Sequence, residues 1–127
     1  RMSHVLVSSE EVAPNSLPLS PALRVGDWIF LSGQGALNAS NEIVGDTIET
    51  QTEATLENIK RLLGAAGYQL SDVVSVLVHL ADLTSFDGYN AVYERFFSDP
   101  KPVRTTVGAN LLHGLLVEIT VTAHRDA

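Results

Sequence analysis

Two charged residues stand where charge is out of place. Arg104 lies inside an otherwise neutral run (PVRTTVGANLL), and Glu118 interrupts an apolar alternation (LLVEITV). The plain explanation is a structural ion pair, or two residues at exposed strand ends. The chemical one is sharper. Arginine presents a planar fork that binds a carboxylate through two parallel hydrogen bonds. A partly buried glutamate has its pKa raised by desolvation, unless a cation offsets it, and can handle a water's proton near neutral pH. Together the two would bind an anionic substrate and activate water beside it.

Other chemistries find less support. There is no cysteine, which removes disulfides, thiolate catalysis and Cys-ligated metal. His4, His79, His113 and His124 show no HxH, HExxH or His-plus-carboxylate spacing, so no metal site is expected. Each is expected to be structural or superficial, with His79 a satisfied core or interface histidine. No GxSxG, P-loop or GxGxxG pattern occurs, and Ser32-Gly33-Gln34-Gly35 alone would mean only a tight turn.

The elements that must position these residues follow from periodicity. Residues 4–8 form a short strand, and Asn15 to Pro21 reads as a loop with two prolines. Arg24 to Ser32 reads as a hairpin turning at Gly26-Asp27. Asp46 to Ala66 is the clearest helix, with Asp46 as N-cap, Glu49 as its capping-box partner and Gly67 as the stop. Leu56, Ile59, Leu63 and Ala66 make its apolar stripe. Val73 to Leu80 is the strongest strand, with Val74, Val76, Val78 and Leu80 on one face. A second helix from about Ser85 to Phe97 buries Phe86, Tyr89, Tyr93 and Phe96. Two strands follow, Arg104 to Gly108 and Leu116 to Ala123. The order β-β-β-α-β-α-β-β is an α+β pattern.

Two helices can cover one face of such a sheet. The other face would carry Ser75, Leu77, His79, Leu116, Glu118, Thr120 and Thr122, too apolar to stay wet and too polar for a dry core. A second copy of the chain is the natural cover, so a homo-oligomer is expected.

The chain of 127 residues is the size of one domain, and 45% hydrophobic residues suffice for a core. Residues 1–127 are read as one domain, with Arg1, ahead of Met2, as a foreign remnant. Eight Lys and Arg against 15 Asp and Glu give a formal charge of −7, and the basic residues are scattered. Such a surface repels phosphate backbones, so nucleic acid is not expected as a partner. No apolar run approaches the ~20 residues of a membrane span. A cytoplasmic protein without membrane contact is the expectation.

Several segments carry a resemblance. Leu31-Ser32-Gly33-Gln34, Gln51-Thr52 with Leu56-Glu57-Asn58-Ile59, and Phe86 with Tyr89-Asn90-Ala91-Val92-Tyr93-Glu94 look like the RidA (YjgF, L-PSP) family. So do Pro102-Val103-Arg104-Thr105-Thr106-Val107 and Val117-Glu118-Ile119, all in the family's order and spacing from about Pro18 to Ala123. The resemblance implies a chorismate-mutase-like fold with two helices on one face of a six-stranded mixed sheet. It also implies a homotrimer with an inner barrel and clefts between subunits. The implied activity is hydrolysis of reactive enamines and imines, such as 2-aminoacrylate and 2-iminopropanoate, to 2-keto acids and ammonia, with no metal or organic cofactor. Alternatives within the family are a non-catalytic carboxylate-binding or regulatory protein, and an endoribonuclease or translation inhibitor, against which the charge argues.

By the same resemblance Arg104 binds the substrate carboxylate and Glu118 holds or activates the water. Ser32 and Gly33 line the cleft, Asn90 supports the site, and the backbone of Thr106, more than its side chain, positions ligand and water. One departure stands out. Many members have Pro-Tyr-Ser where this chain has Pro18-Leu19-Ser20. Leu19 offers no hydroxyl, which favours an imino acid bulkier or more apolar than 2-aminoacrylate, or an aminomuconate-like substrate.

Overall fold

The fold was obtained as a computed structural model, which describes residues 3–14 and 16–126. Arg1 falls outside the described residues. The elements are β1 (His4–Val7), β2 (Ala22–Val25), β3 (Trp28–Leu31), α1 (Ile48–Ala65), β4 (Val73–Leu80), α2 (Phe86–Phe96), β5 (Val103–Gly108) and β6 (Val117–His124). They build one mixed sheet in the order β1-β2-β3-β6-β4-β5. Only the β4–β5 pair is parallel, as α2 returns the chain to the same edge between them. The α+β expectation holds.

The β2–β3 hairpin turns at Gly26, whose φ of 60° suits a residue without a Cβ. Helix α1 starts one residue later than its sequence suggests. Thr47 is the N-cap: its hydroxyl accepts from Thr50 N at 3.1 Å, and Thr50 Oγ1 accepts from Thr47 N at 3.2 Å. A threonine pair therefore closes the capping box that Asp46 and Glu49 were expected to form. Glu49 instead lies in the first turn, where the helix dipole favours a carboxylate. Helix α1 ends before Gly67 at φ 82°, as expected.

Both helices pack on one face of the sheet. Leu56, Ile59, Leu62, Leu63, Tyr89 and Tyr93 meet Val76, Val78, Ile119 and Val121 in one core. Ala66 is half-buried and packs against this core, and Leu62 joins the buried stripe. Phe86, at the start of α2, stays exposed while Val92 is buried. In β4 the alternation slips: Val73 is buried and Val74 is exposed. A bulge between Val73 and Ser75 inserts an extra residue and reverses the facing of the strand's first residues.

The opposite face is open. Phe30 (46% exposed), Leu77 (38%) and Val103 (70%) lie on it with Val107 and Trp28. These apolar side chains, interleaved with Ser75, His79, Glu118, Thr120 and Thr122, give the mixed character of an association face.

Two buried amides of α1 tie the β3–α1 loop down. Asn58 donates to Gly35 O (3.1 Å) and Leu37 O (2.7 Å). Gln51 donates to Gly45 O (3.1 Å) and accepts from Leu116 N (2.9 Å). These bonds fix the chain just after Gly33 and just before Glu118, the two residues discussed next. Buried amides keep such positions only when fully paired.

Candidate active site

Arg104 enters on β5 at the edge of the sheet. Its register partner on β4 is Val76, so its side chain points to the helix-covered face. There Nη1 donates to Asn90 Oδ1 at 2.8 Å. The guanidinium carbon lies 4.6 Å from the Tyr93 ring centroid, 5.3 Å from that of Tyr89 and 5.8 Å from that of Phe86. These ring faces attract the cation and restrict its rotamers. Among the described residues no carboxylate lies within ion-pair distance of it. Arg104 is therefore held, charged and free to donate elsewhere. A cavity of about 320 Å³ opens beside it, lined by Asn90, Tyr93, Glu94, Lys101, Pro102 and Arg104.

The phenols stay neutral. Burial pushes the Tyr93 hydroxyl up to about 12, against the opposing pull of Arg104. Burial raises Tyr89 as well, against its hydrogen bond with Thr106 and the charge of Arg104. Tyr89 Oη and Thr106 Oγ1 share a 2.9 Å hydrogen bond. The Thr106 side chain thus has a defined task, tying β5 to α2, beyond the backbone role expected for it.

Glu118 lies elsewhere. On β6 it pairs directly with His79 of β4, on the open face. Its Oε1 is 3.9 Å from His79 Nδ1. Gly33, in the loop after β3, packs against its carboxyl group: a Cβ there would come within 2.7 Å of Cδ and 2.8 Å of Oε1. Within the single chain, His79 Nδ1 is buried without a hydrogen-bond partner among the described residues.

The expected constellation is thus divided. Arg104, Asn90 and Thr106 gather on the helix side, Gly33 and Glu118 on the open side. Within one chain the guanidinium and the carboxyl group do not share a hollow, because their strand positions face opposite ways. Ser32 donates its hydroxyl to Ser20 O at 2.6 Å, and Ser32 N donates to Pro21 O at 2.9 Å. Its immediate role is to anchor the loop that carries Leu19. Leu19 lines a separate groove of about 590 Å³ with Leu6, Val12, Pro14 and Leu62 among others. The aromatic seat under Arg104 and the unpartnered His79 were not singled out from the sequence. Helical spacing marked the tyrosines only as a buried stripe.

Asp27, His124 and Asp126 bring their ligand atoms within 4.8 Å of one another at the far end of β6 from Glu118. His124 and Asp126 stand two residues apart at the end of β6, and Asp27, in the β2–β3 turn, is brought to them by the fold. Asp126 is exposed, and acidic groups often gather at a surface without an ion. Among the described residues no helix is long and apolar enough to cross a membrane.

The sequence profile of the family described as endoribonuclease L-PSP matches residues 10–125. A RutC family protein of Saccharolobus solfataricus, SSO3206, is 44% identical over 119 residues, covering 91% of this chain and 94% of its own. A 2-iminobutanoate/2-iminopropanoate deaminase of Dermatophagoides farinae is 36% identical over 121 residues, covering 93% and 94%. The crystal structure of E. coli TdcF with bound serine matches with a TM-score of 0.89 at 26% identity, over 96% of this chain and 99% of that one.

Proposed function

The chain belongs to the endoribonuclease L-PSP family, the RidA/YjgF family, and on that premise we propose that it hydrolyses 2-imino acids to 2-keto acids and ammonia. The observation that carries this is Arg104: a guanidinium seated on three rings, fixed by Asn90, and with no carboxylate in ion-pair distance among the described residues. A receptor of that kind suits the carboxylate of a small substrate. The deaminase name of one relative and the amino acid bound to TdcF fit the same chemistry.

The substrate carboxylate pairs with Arg104, which leaves its C=N group at the mouth of the cavity. Glu118 from an adjoining copy takes a proton from water as the oxygen bonds to the imine carbon. The C=N π electrons move to nitrogen, which takes up a proton. The resulting carbinolamine loses ammonia as its hydroxyl proton departs and the C=O bond forms. Atoms balance as one imine plus one water giving one keto acid plus one ammonia. Imines hydrolyse in water unaided, so the protein has mainly to hold the substrate and one water and to stabilise the developing charge.

Two copies are needed because the halves face opposite ways in one chain. The open face, half apolar and half polar, supports a ring of copies, which we take to be a homotrimer. Ser32 acts through the loop it anchors, and Leu19, without a hydroxyl, favours a bulkier or more apolar substrate side chain than that of 2-aminoacrylate.

The test uses imino acids generated in place by an amino-acid oxidase, with keto-acid release as the readout. Arg104→Ala is expected to lower kcat/KM about 100-fold or more, as loss of a charge-paired contact does. Release by the variant at the wild-type rate overturns the assignment. Tight binding of 2-ketobutyrate with no turnover on a broad imine panel would instead indicate a binding protein.

A further inference from the structure

His79 has no role in the chemistry so far, yet its position asks for one. It lies on the open face of β4, directly across from Glu118 of β6. Its Nδ1 is buried and unpartnered among the described residues. A buried ring nitrogen without a partner is costly, so such a group is retained where it serves a purpose. The facing carboxylate oxygen, Glu118 Oε1, stands 3.9 Å away. Small torsional changes in either side chain would close that gap to a hydrogen bond. From the other neighbouring strand, β5, the residue opposite His79 is Val107, so Glu118 is the titratable group that the flanking strands present to it. Gly33 packs against the same carboxyl group, leaving no room between them even for a methyl group.

We propose that His79 is a positioning residue that donates Nδ1–H to Glu118 and aims its carboxylate at the attacking water. This rests on the assignment of Glu118 as the group that takes the water's proton. A neutral imidazole orients the carboxylate and leaves it basic. A protonated imidazole holds it as an anion more strongly and makes it a poorer base. Turnover therefore falls on the acid side as His79 gains its proton.

Two substitutions separate the roles. His79→Phe keeps a ring of similar size and loses the donor. His79→Asn keeps an N–H donor near the position of Nδ1 and cannot titrate. The expected result is a kcat about tenfold lower in His79→Phe with KM within about twofold, because the Arg104 half is untouched. His79→Asn recovers most of that kcat but lacks the acid-side inflection of the wild type. A second readout needs no turnover: the Glu118 carboxyl carbon, followed by NMR across pH, shows an added inflection from His79 in the wild type that both substitutions remove. An unchanged kcat and pH profile in His79→Phe, or a single-step Glu118 titration in the wild type, overturns the proposal. Should the wild type hydrolyse no imine, the deaminase assignment fails, and the Glu118 titration alone decides whether His79 engages that carboxyl.

Discussion

At the scale of residues, the site is two preparations made separately. Asn90 and the rings of Phe86, Tyr89 and Tyr93 prepare a cation; Gly33 and His79 surround a carboxyl group. Gly33 offers a clean probe of the second, because its backbone does not need positive φ and alanine can adopt it. The added methyl group must displace the Glu118 carboxyl. Gly33→Ala is expected to fold, to bind keto acids through Arg104 within about twofold of wild type, and to lose at least about tenfold in kcat. Steady-state kinetics with a keto-acid inhibition constant would check this, and an unaltered kcat would count against Glu118. Arg104 and Glu118 were legible in the sequence because each breaks a neutral run. The aromatic seat was not, since the 3.6-residue period that marks Tyr89 and Tyr93 as buried is silent about a cation arriving from another strand. His79 was hidden for a related reason: strand periodicity gives its face but not its partner.

At the scale of elements, every strand and both helices were legible, while local details that depend on hydroxyl geometry or on one extra residue were not. Both Asp46/Glu49 and Thr47/Thr50 fit the spacing of a capping box; the observed pair is the one whose hydroxyls reach each other's backbone N–H groups. Thr47→Ala is expected to cost about 1 kcal/mol, seen as a melting temperature lower by about 4 °C in thermal denaturation followed by circular dichroism. Asp46→Ala should shift it by much less. The β4 bulge escaped notice because Val73 and Val74 are the same residue, and no pattern of hydropathy can tell which of two identical side chains faces inward. Gln51 and Asn58, quoted as family signatures, prove to be braces of the β3–α1 loop and of the entry into β6, which place Gly33 and Glu118 rather than take part in chemistry.

At the scale of the whole molecule, the open face was anticipated from counting: two helices cannot cover both sides of six strands. The division of the candidate site was not anticipated, and it follows from register alone. Arg104 aligns with Val76 and Glu118 with His79, three residues apart on one strand and so on opposite sides. A defect in one half is therefore a defect that a neighbour can make good. Arg104→Ala and Glu118→Ala protomers, each inactive as pure assemblies, should regain turnover when co-expressed. About a quarter of the junctions in a random equal mixture would join an intact arginine to an intact glutamate. Activity near that fraction in co-assembled protein, and none after simple mixing of preformed assemblies that do not exchange, is the expected pattern. Two broken alleles would then add up to a working one.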